Sequence, residues 1–189
     1  MFICFKTRVK KNFVSAITFH KNLLAVSGYG GAIFIIDIYS GANKSVHLHG
    51  TSRKSALCFL NEHTIISGDN EGNLQLISIP NDNVIKTINL PFRKINQIIP
   101  IPNTKYLIVH ANTNTMVIID SKEYKIIHNN YIEFEDDIHV VEALDSKTLV
   151  VSLKNQKILH VELPSRERLS SLILHNSLDA AYELIAREP

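Results

Sequence analysis

Four carboxylates lie close together in the last third of the chain, at Glu133, Glu135, Asp136 and Asp137. Paired carboxylates can perform acid–base chemistry or bind calcium. This run lacks the glycine turn and the alternating oxygen ligands of a calcium loop. We therefore interpret it as a solvated loop that offsets local basic charge, with a partner-binding patch as the alternative.

Basic residues form the opposite kind of cluster, and they recur at equivalent connections between the predicted strands. Basic residues at equivalent connections would lie along one edge of the predicted sheets, where they could attract an acidic protein, or nucleic acid through phosphate neutralisation. No aromatic residues are interleaved with them for base stacking. Solvated turns are the simpler interpretation. The N-terminal basic residues are Lys6, Arg8, Lys10 and Lys11. The candidate partner-binding residues are Lys10, Lys11, Arg53, Lys54, Arg93, Lys94, Glu133, Glu135, Asp136 and Asp137.

Signals for metal binding and nucleophilic catalysis are weak. The segment His47-Leu48-His49 places two imidazoles on one face of a strand, but no third ligand lies near in sequence. The Gly28-Tyr29-Gly30-Gly31 segment lies between two predicted strands, so it is a hairpin turn instead of a phosphate-binding loop. The repeat pattern brings no histidine next to a serine or cysteine, so it predicts no nucleophilic catalytic triad. We expect no catalytic residue, no metal and no cofactor.

Composition excludes several classes of protein. The chain has 189 residues, of which 45% are hydrophobic and 20% charged, so wholesale disorder is excluded. A net charge of +2 is too small for a nucleic-acid footprint, so nucleic-acid binding is not expected. The two cysteines, Cys4 and Cys58, fit no disulfide or metal spacing, and no apolar run reaches membrane-spanning length. We expect a cytoplasmic protein that does not enter a membrane.

An internal repeat of about 40–42 residues supplies the elements that must position these groups. Each unit reads as short β-branched runs separated by glycine and asparagine turns, which predicts a four-stranded antiparallel sheet. The first run of each unit is nearly all apolar, as expected for a strand buried on both faces. One repeated segment is Val26-Ser27-Gly28, Ile66-Ser67-Gly68, Val109-His110 and Val151-Ser152. Two columns expected to be buried between neighbouring sheets are Ala16, Ala56, Ile98 and Val140, and Ile17, Leu57, Ile99 and Val141.

The repeat resembles the WD-repeat β-propeller family over about Phe13 to Leu163. The dipeptide that ends the third strand in that family corresponds to Ile36-Asp37, Ile77-Ser78, Ile119-Asp120 and Val161-Glu162. The acidic residue of the second hairpin has its nearest counterpart in Glu71. The resemblance implies propeller blades that present surfaces to protein partners.

The predicted fold class is all-β with a short helical C-terminus. The apolar spacing of Leu169, Leu172 and Ile173, and then of Leu178, Ala181, Tyr182 and Ile185, predicts helices after Pro164. A propeller followed by helices resembles coat and scaffold proteins in which an α-solenoid follows the propeller. The predicted segments are 1–12, a strand completing a blade; 13–163, four blades (13–50, 51–91, 92–134 and 135–163); and 164–189, a helical segment.

Four blades leave two ways of completing a ring. The chain is part of a longer propeller protein, or two chains join to close a ring of about eight blades. The outward faces of the first and fourth blades are expected to be apolar, so we expect a homodimer.

Together these features predict a non-catalytic protein-interaction scaffold whose partner the sequence does not name. The alternative is an accessory propeller of a ligand-, metal- or redox-handling system, with its chemistry on parts not present in this chain.

Overall fold

A computed structural model describes residues 14–28, 30–46, 53–111, 113–127 and 132–163. These residues form an all-β protein with sixteen strands in four antiparallel sheets, which we call blades 1 to 4. The strand predicted at 1–12, the helical segment at 164–189 and the histidine pair of His47-Leu48-His49 lie outside the described residues.

The first compact unit extends to Ile98 and contains blades 1 and 2. In both blades each strand pairs with the next one along the chain, because the connections are short turns. Blade 1 consists of β1 (Val14–His20), β2 (Leu23–Gly28), β3 (Ile33–Asp37) and β4 (Asn43–Val46). Blade 2 consists of β5 (Lys54–Asn61), β6 (Thr64–Asp69), β7 (Asn73–Ser78) and β8 (Asn83–Asn89).

The second unit begins at Ile99, within the first strand of blade 3. Blade 3 consists of β9 (Ile95–Pro100), β10 (Tyr106–Ala111), β11 (Thr115–Asp120), β12 (Lys125–Ile126) and β13 (Ile132–Glu133). Both short strands, β12 and β13, pair with β11. Blade 4 consists of β14 (Ile138–Ala143), β15 (Thr148–Leu153) and β16 (Ile158–Glu162).

The strand register confirms the repeat and corrects one of its alignments. In blade 1 Ser27 pairs with Ile33, and in blade 2 Gly68 pairs with Leu74, so Ser27 corresponds to Gly68 and not to Ser67. The alignment of Val26-Ser27-Gly28 with Ile66-Ser67-Gly68 was therefore wrong by one residue. The cause is an irregular register near the end of β5, which adds a residue before β6 begins.

Burial is deepest in the second strand of a blade, not in the first as the sequence suggested. All six residues of β10 are buried, whereas β1 is half-buried or exposed along its whole length. A second strand has a paired strand on each side. A first strand has one side without a neighbour in its own sheet, so it is less covered.

Each blade has two faces, because alternate residues of a strand point to opposite sides. We call the face that carries Ala25, Ile33 and Ile35 in blade 1, and its equivalents elsewhere, the forward face. The opposite face, which carries Leu57, Phe59 and Ile65 in blade 2, is the backward face. In unit 1 the forward face of blade 1 packs on the backward face of blade 2 in one apolar cluster. Lys44 of blade 1 adds a polar link, since its Nζ donates to the carbonyl oxygen of Ile79 at 2.6 Å.

The core of unit 2 is built in the same way. Ile108 and Met116 on the forward face of blade 3 share a cluster with Val141, Leu149 and Val151 on the backward face of blade 4. All five side chains are fully buried. The apolar pattern of the repeat thus becomes blade-to-blade packing in both units.

The two columns expected to be buried are confirmed only in part. Ala56, Leu57, Ile98, Ile99 and Val141 are buried. The prediction was wrong for the others: Ala16 is half-buried, Ile17 is 63% exposed and Val140 is 37% exposed. These three belong to the first strands of blades 1 and 4, and Ile17 and Val140 lie on faces that no other blade of the same unit covers.

Candidate functional site

The four blades share a main-chain hydrogen bond that ties the end of the third strand to the turn between the first two strands. The N–H of Ile38 donates to the carbonyl oxygen of Asn22, and the bond recurs at intervals that match the repeat. The other three are Ile79 to His63, Ser121 to Lys105 and Leu163 to Lys147, at 2.9, 2.8 and 2.5 Å. Because only backbone atoms take part, this link does not depend on which side chains the turns carry.

Aspartates that end the third strands of blades 1 and 3 organise the turns that follow. They occupy the position of the WD-repeat dipeptide. The Asp37 carboxylate accepts hydrogen bonds from the N–H groups of Tyr39 and Ser40 at 3.0 and 2.8 Å, and from the side-chain amide of Asn22. The hydrogen bond from Ser40 is the main cause that lowers the pKa of Asp37. These contacts fix a tight turn at the surface.

Asp120 repeats this role and also forms an ion pair. Its carboxylate accepts from the N–H groups of Lys122 and Glu123, and the Lys105 ammonium lies 2.5 Å away. Burial acts to raise the pKa of Asp120, but the Lys105 contact and the two N–H groups together hold it below its usual range. Asp120 therefore stays ionised and holds the turn closed.

The acidic residue that organises the second hairpin of blade 2 is Asp69, and the expectation of Glu71 was wrong. Asp69 is 1% exposed, and its Oδ1 accepts from the N–H groups of Glu71 and Asn73, both at 2.9 Å. Glu71 is exposed and contributes its backbone to this turn. Sequence spacing pointed to the turn but not to the side chain that closes it.

The structure brings three of the basic candidates to one loop of unit 1. Asn70 donates its N–H to the carbonyl oxygen of Arg53 at 3.2 Å and accepts from the N–H of Lys94 at 3.1 Å. Arg53 is half-buried, whereas Arg93 and Lys94 are exposed. The side chain of Lys54, and the whole of Lys10 and Lys11, lie outside the described residues.

The acidic candidates surround the turn between β15 and β16, which is basic. Asp137 pairs with Lys154 at 2.8 Å and Glu135 with Lys157 at 2.6 Å. The hydrogen bond from Lys157 is the main cause that lowers the pKa of Glu135. Glu133 is exposed in β13, where its carboxylate accepts a hydrogen bond from Asn114, and Asp136 is half-buried. Two of the four carboxylates thus balance lysines of the same unit.

Two buried polar residues were not singled out from the sequence. Ser67 is fully buried on the backward face of blade 2, and its hydroxyl has no hydrogen-bond partner among the described residues. His110 is fully buried at the end of β10, with Nδ1 3.0 Å from the carbonyl oxygen of Ala111. Burial lowers the pKa of His110. Neither residue type signals burial in a sequence.

The described residues contain neither a metal-binding cluster nor a membrane-spanning helix. Within the described ranges, no group of three or more histidine, cysteine, aspartate or glutamate side chains is placed to hold a metal ion. No helix in the described part of the chain is long and apolar enough to cross a membrane.

The open faces of the two end blades differ in chemistry. On the backward face of blade 1, Ile17 and Phe19 are 63% and 78% exposed. The forward face of blade 4 exposes Ile158, but also Glu142 and His160. The expectation that both faces are apolar is therefore met by blade 1 and wrong for blade 4. The reason is that blade 4 has the polar residues Glu142 and His160 at the positions where blade 2 has Cys58 and Leu76.

Comparison with known families decides where the chain belongs. A family described as the middle domain of the uncharacterised protein YJR039W matches residues 23–161. The chain belongs to this YJR039W middle-domain family. The match begins in β2 and ends in β16, so it includes residues of all four blades and leaves out β1. No curated protein matches the sequence.

Solved structures show that the sheets of this chain are arranged like propeller blades. The computationally designed Ika4 protein superimposes with a TM-score of 0.70 at 16% identity, over 84% of this chain and 96% of its own. The WD40 repeats of RRP9 give a TM-score of 0.68 at 10% identity, over 82% of this chain and 52% of their own. U3-55K gives 0.68 at 10% identity, over 82% and 53%. The chain therefore spans about half the length of the RRP9 and U3-55K structures, and the resemblance to the WD-repeat fold is supported at the level of the fold.

Proposed function

We propose that this chain is a non-catalytic protein-interaction scaffold built from WD-repeat-like propeller blades. The observation that carries the proposal is the four-fold repeat of sheets closed by the same main-chain bond. Such an architecture holds its turns in fixed positions, and turns on a rigid scaffold are where binding residues concentrate.

The loop around Asn70 is the part of this scaffold that we propose meets a partner. Arg93 and Lys94 are exposed there, and their backbone is tied to the hairpin of blade 2 through Lys94. Among the described residues, their charges have no carboxylate partner of the kind that the lysines of the β15–β16 turn have in Glu135 and Asp137. A fixed basic surface of this kind favours an acidic protein as partner.

Quantitative affinity purification with the full chain tests the proposal. The variant replaces Arg93 and Lys94 by glutamate, and the control replaces the exposed Lys122 and Lys125 of blade 3 in the same way. We expect a set of proteins bound by the wild type and the control and lost from the variant. The scaffold role fails if no protein is enriched over a mock purification. The location of the site fails if every enriched protein binds the variant equally well.

A thermal-shift screen separates the scaffold from the accessory propeller of a ligand-, metal- or redox-handling system. Metal ions and nucleotides are added to the full chain, and a ligand that binds the folded state raises the melting temperature. The scaffold proposal predicts no specific shift. A large, saturable shift with one ligand would instead favour the accessory role.

Three finer predictions belong with the scaffold proposal. The chain is a divergent WD-repeat propeller, it forms part of a longer propeller or pairs with itself, and it resides in the cytoplasm. The buried Cys58 thiol, whose pKa burial raises to about 12, is consistent with a reducing compartment. Fluorescence microscopy of the tagged chain tests the location, and a signal confined to another compartment would contradict it.

A further inference from the structure

The connection between β8 and β9 carries two exposed cations, Arg93 and Lys94, on a backbone that is held near both of its ends. The N–H of Leu90 donates to the carbonyl oxygen of Gly72 at 2.9 Å, and the N–H of Lys94 donates to that of Asn70 at 3.1 Å. The side chain of Leu90 is buried, so it anchors the connection in the interior as well. Both main-chain bonds lead to the hairpin between β6 and β7.

One oxygen of Asp69 orients the two peptide groups that supply these carbonyls. The carbonyl of Asn70 shares a peptide group with the N–H of Glu71. The carbonyl of Gly72 shares one with the N–H of Asn73. In a planar trans peptide the carbonyl and the N–H point in opposite directions. Because Asp69 Oδ1 accepts both N–H groups at 2.9 Å, it turns both carbonyls away from itself and toward the connection.

The carboxylate of Asp69 is itself held in place beneath the surface. Its Oδ2 accepts from the side-chain amide of Asn73 at 3.1 Å, and the residue is 1% exposed. Asp69 therefore does not reach a partner. The hairpin also touches the connection directly, since a Cβ at Gly72 would overlap the carbonyl oxygen of Phe92. A change in the shape of the hairpin must then move the connection.

We propose that Asp69 is a positioning residue for the partner-binding surface, and that it fixes Arg93 and Lys94 through the carbonyls of Gly72 and Asn70. The role of Arg93 and Lys94 in binding rests on the proposed function. The path from Asp69 to the connection rests on the hydrogen bonds alone. A backbone that is ordered before binding lowers the entropy that association costs, so loss of Asp69 weakens binding without removing a contact to the partner.

Amide hydrogen exchange of the full chain, followed by nuclear magnetic resonance, tests this path without a partner. Asp69→Ala removes the acceptor of both N–H groups, so the amides of Leu90 and Lys94 should exchange faster by about 10-fold or more. Asp69→Asn keeps an oxygen at the same place and should hold the exchange to within about 3-fold of the wild type. Should Asp69→Ala fail to fold, Asp69→Ser supplies a milder change, since a hydroxyl is a weaker acceptor in such turns.

Asp37→Ala is the matched control. The Asp37 carboxylate also accepts from two main-chain N–H groups and one side-chain amide, but its turn lies in blade 1. It should leave the exchange of Leu90 and Lys94 unchanged. The amide of Ile65, in a strand of blade 2 that is paired on both sides, reports opening of the whole blade.

The affinity purification with Arg93 and Lys94 replaced by glutamate is then repeated with the Asp69 variants. Among the proteins whose capture requires Arg93 and Lys94, we expect Asp69→Ala to retain about one third or less of the wild-type amount. Asp69→Asn and Asp37→Ala should capture them as the wild type does.

Four outcomes would overturn the proposal, and they differ in what fails. Unchanged exchange at Leu90 and Lys94 in Asp69→Ala breaks the path. An equal rise at Ile65 makes Asp69 a general stabiliser of the blade. A local rise with full capture shows that binding does not need a fixed connection. If no captured protein requires Arg93 and Lys94, the proposed binding site is wrong, whatever the exchange shows.

Discussion

Replacing Gly68 by alanine should test the closest approach between the forward face of blade 2 and the start of β9. A Cβ atom at Gly68 would lie 2.5 Å from Cγ2 and 2.8 Å from Cβ of Ile95, whereas ordinary contacts begin at 3.4 Å. Ile95 would therefore have to retreat by about 0.9 Å, from 2.5 to 3.4 Å. It is fully buried, and its carbonyl oxygen accepts a hydrogen bond from the Ser55 hydroxyl at 2.5 Å, which opposes that retreat.

The expected cost follows from these contacts. Overpacking of a buried site costs about 1–3 kcal/mol, and loss of the Ser55 hydrogen bond adds about 1 kcal/mol. Alanine returns about 0.5–1 kcal/mol, because glycine loses more conformational freedom on folding. We therefore expect Gly68→Ala to lower the free energy of unfolding by about 1–3.5 kcal/mol.

Urea unfolding followed by far-ultraviolet circular dichroism measures this change, since the chain has no tryptophan to report by fluorescence. A double-mutant cycle with Ile95→Ala supplies the control. Ile95→Ala removes Cγ2 and Cδ1, which lie 2.5 and 3.1 Å from the new methyl group, and leaves Cβ at 2.8 Å. It therefore relieves part of the overlap, and the two substitutions together should cost at least about 1 kcal/mol less than their sum. A coupling near zero would refute the contact and with it the position of Ile95.

Four further predictions rest on single contacts or on burial. Gly72→Ala should destabilise by about 1–3 kcal/mol more than Gly41→Ala. Both glycines have positive φ, but a Cβ at Gly72 would overlap the carbonyl oxygen of Phe92, whereas a Cβ at Gly41 would meet no atom. Equal losses in urea unfolding would contradict this reasoning. Leu57→Ala should cost about 2–5 kcal/mol and Ile17→Ala less than about 0.5, since the equivalent side chains are 7% and 63% exposed; similar costs would show that the blade 1 to blade 2 contact is misplaced. Ser67→Ala should stabilise by about 1 kcal/mol, because it removes a buried hydroxyl without a partner, and a loss of stability would reveal a hydrogen bond at that site. Burial lowers the pKa of His110 from 6.5 in the folded state. The contribution of neutral His110 to the free energy of unfolding is therefore complete above pH 6.5 and is lost as the pH falls from 6.5 toward the lower folded pKa. His110→Gln should flatten the dependence of the free energy of unfolding on pH in this range, and an unchanged dependence would mean that His110 does not contribute to it.

The sequence predicted the repeat, the four sheets and the turns, because apolar periodicity and glycine positions are local properties. It missed the offset between Ser27 and Gly68, since one extra residue near the end of β5 leaves no mark on the hydrophobic pattern. Leu57 and Ile17 are similar side chains in equivalent columns, yet one is buried and the other exposed. Their difference depends on whether another blade lies against them, which no local pattern contains.

The site was predicted less completely than the fold. Glu135, Asp136 and Asp137 lie on a connection as predicted, whereas Glu133 lies in β13. The pairing of Asp137 with Lys154 and of Glu135 with Lys157 depends on a turn about twenty residues further along the chain. Asp69 and Glu71 are two residues apart, and only the direction of the side chain decides which one closes the hairpin. Such directions follow from backbone geometry, which composition and spacing do not determine.

The recurring bond between main-chain atoms at the end of each third strand has a consequence for how such domains change over time. A turn that is closed by N–H and carbonyl groups tolerates asparagine, histidine or lysine equally well, as Asn22, His63 and Lys105 demonstrate. Side-chain identity at these positions is then free to drift, while loss of the N–H through proline at Ile38, Ile79 or Ser121 would not be tolerated. Searches for divergent members of such families should therefore weigh the interval between the turns and the exclusion of proline above any dipeptide signature.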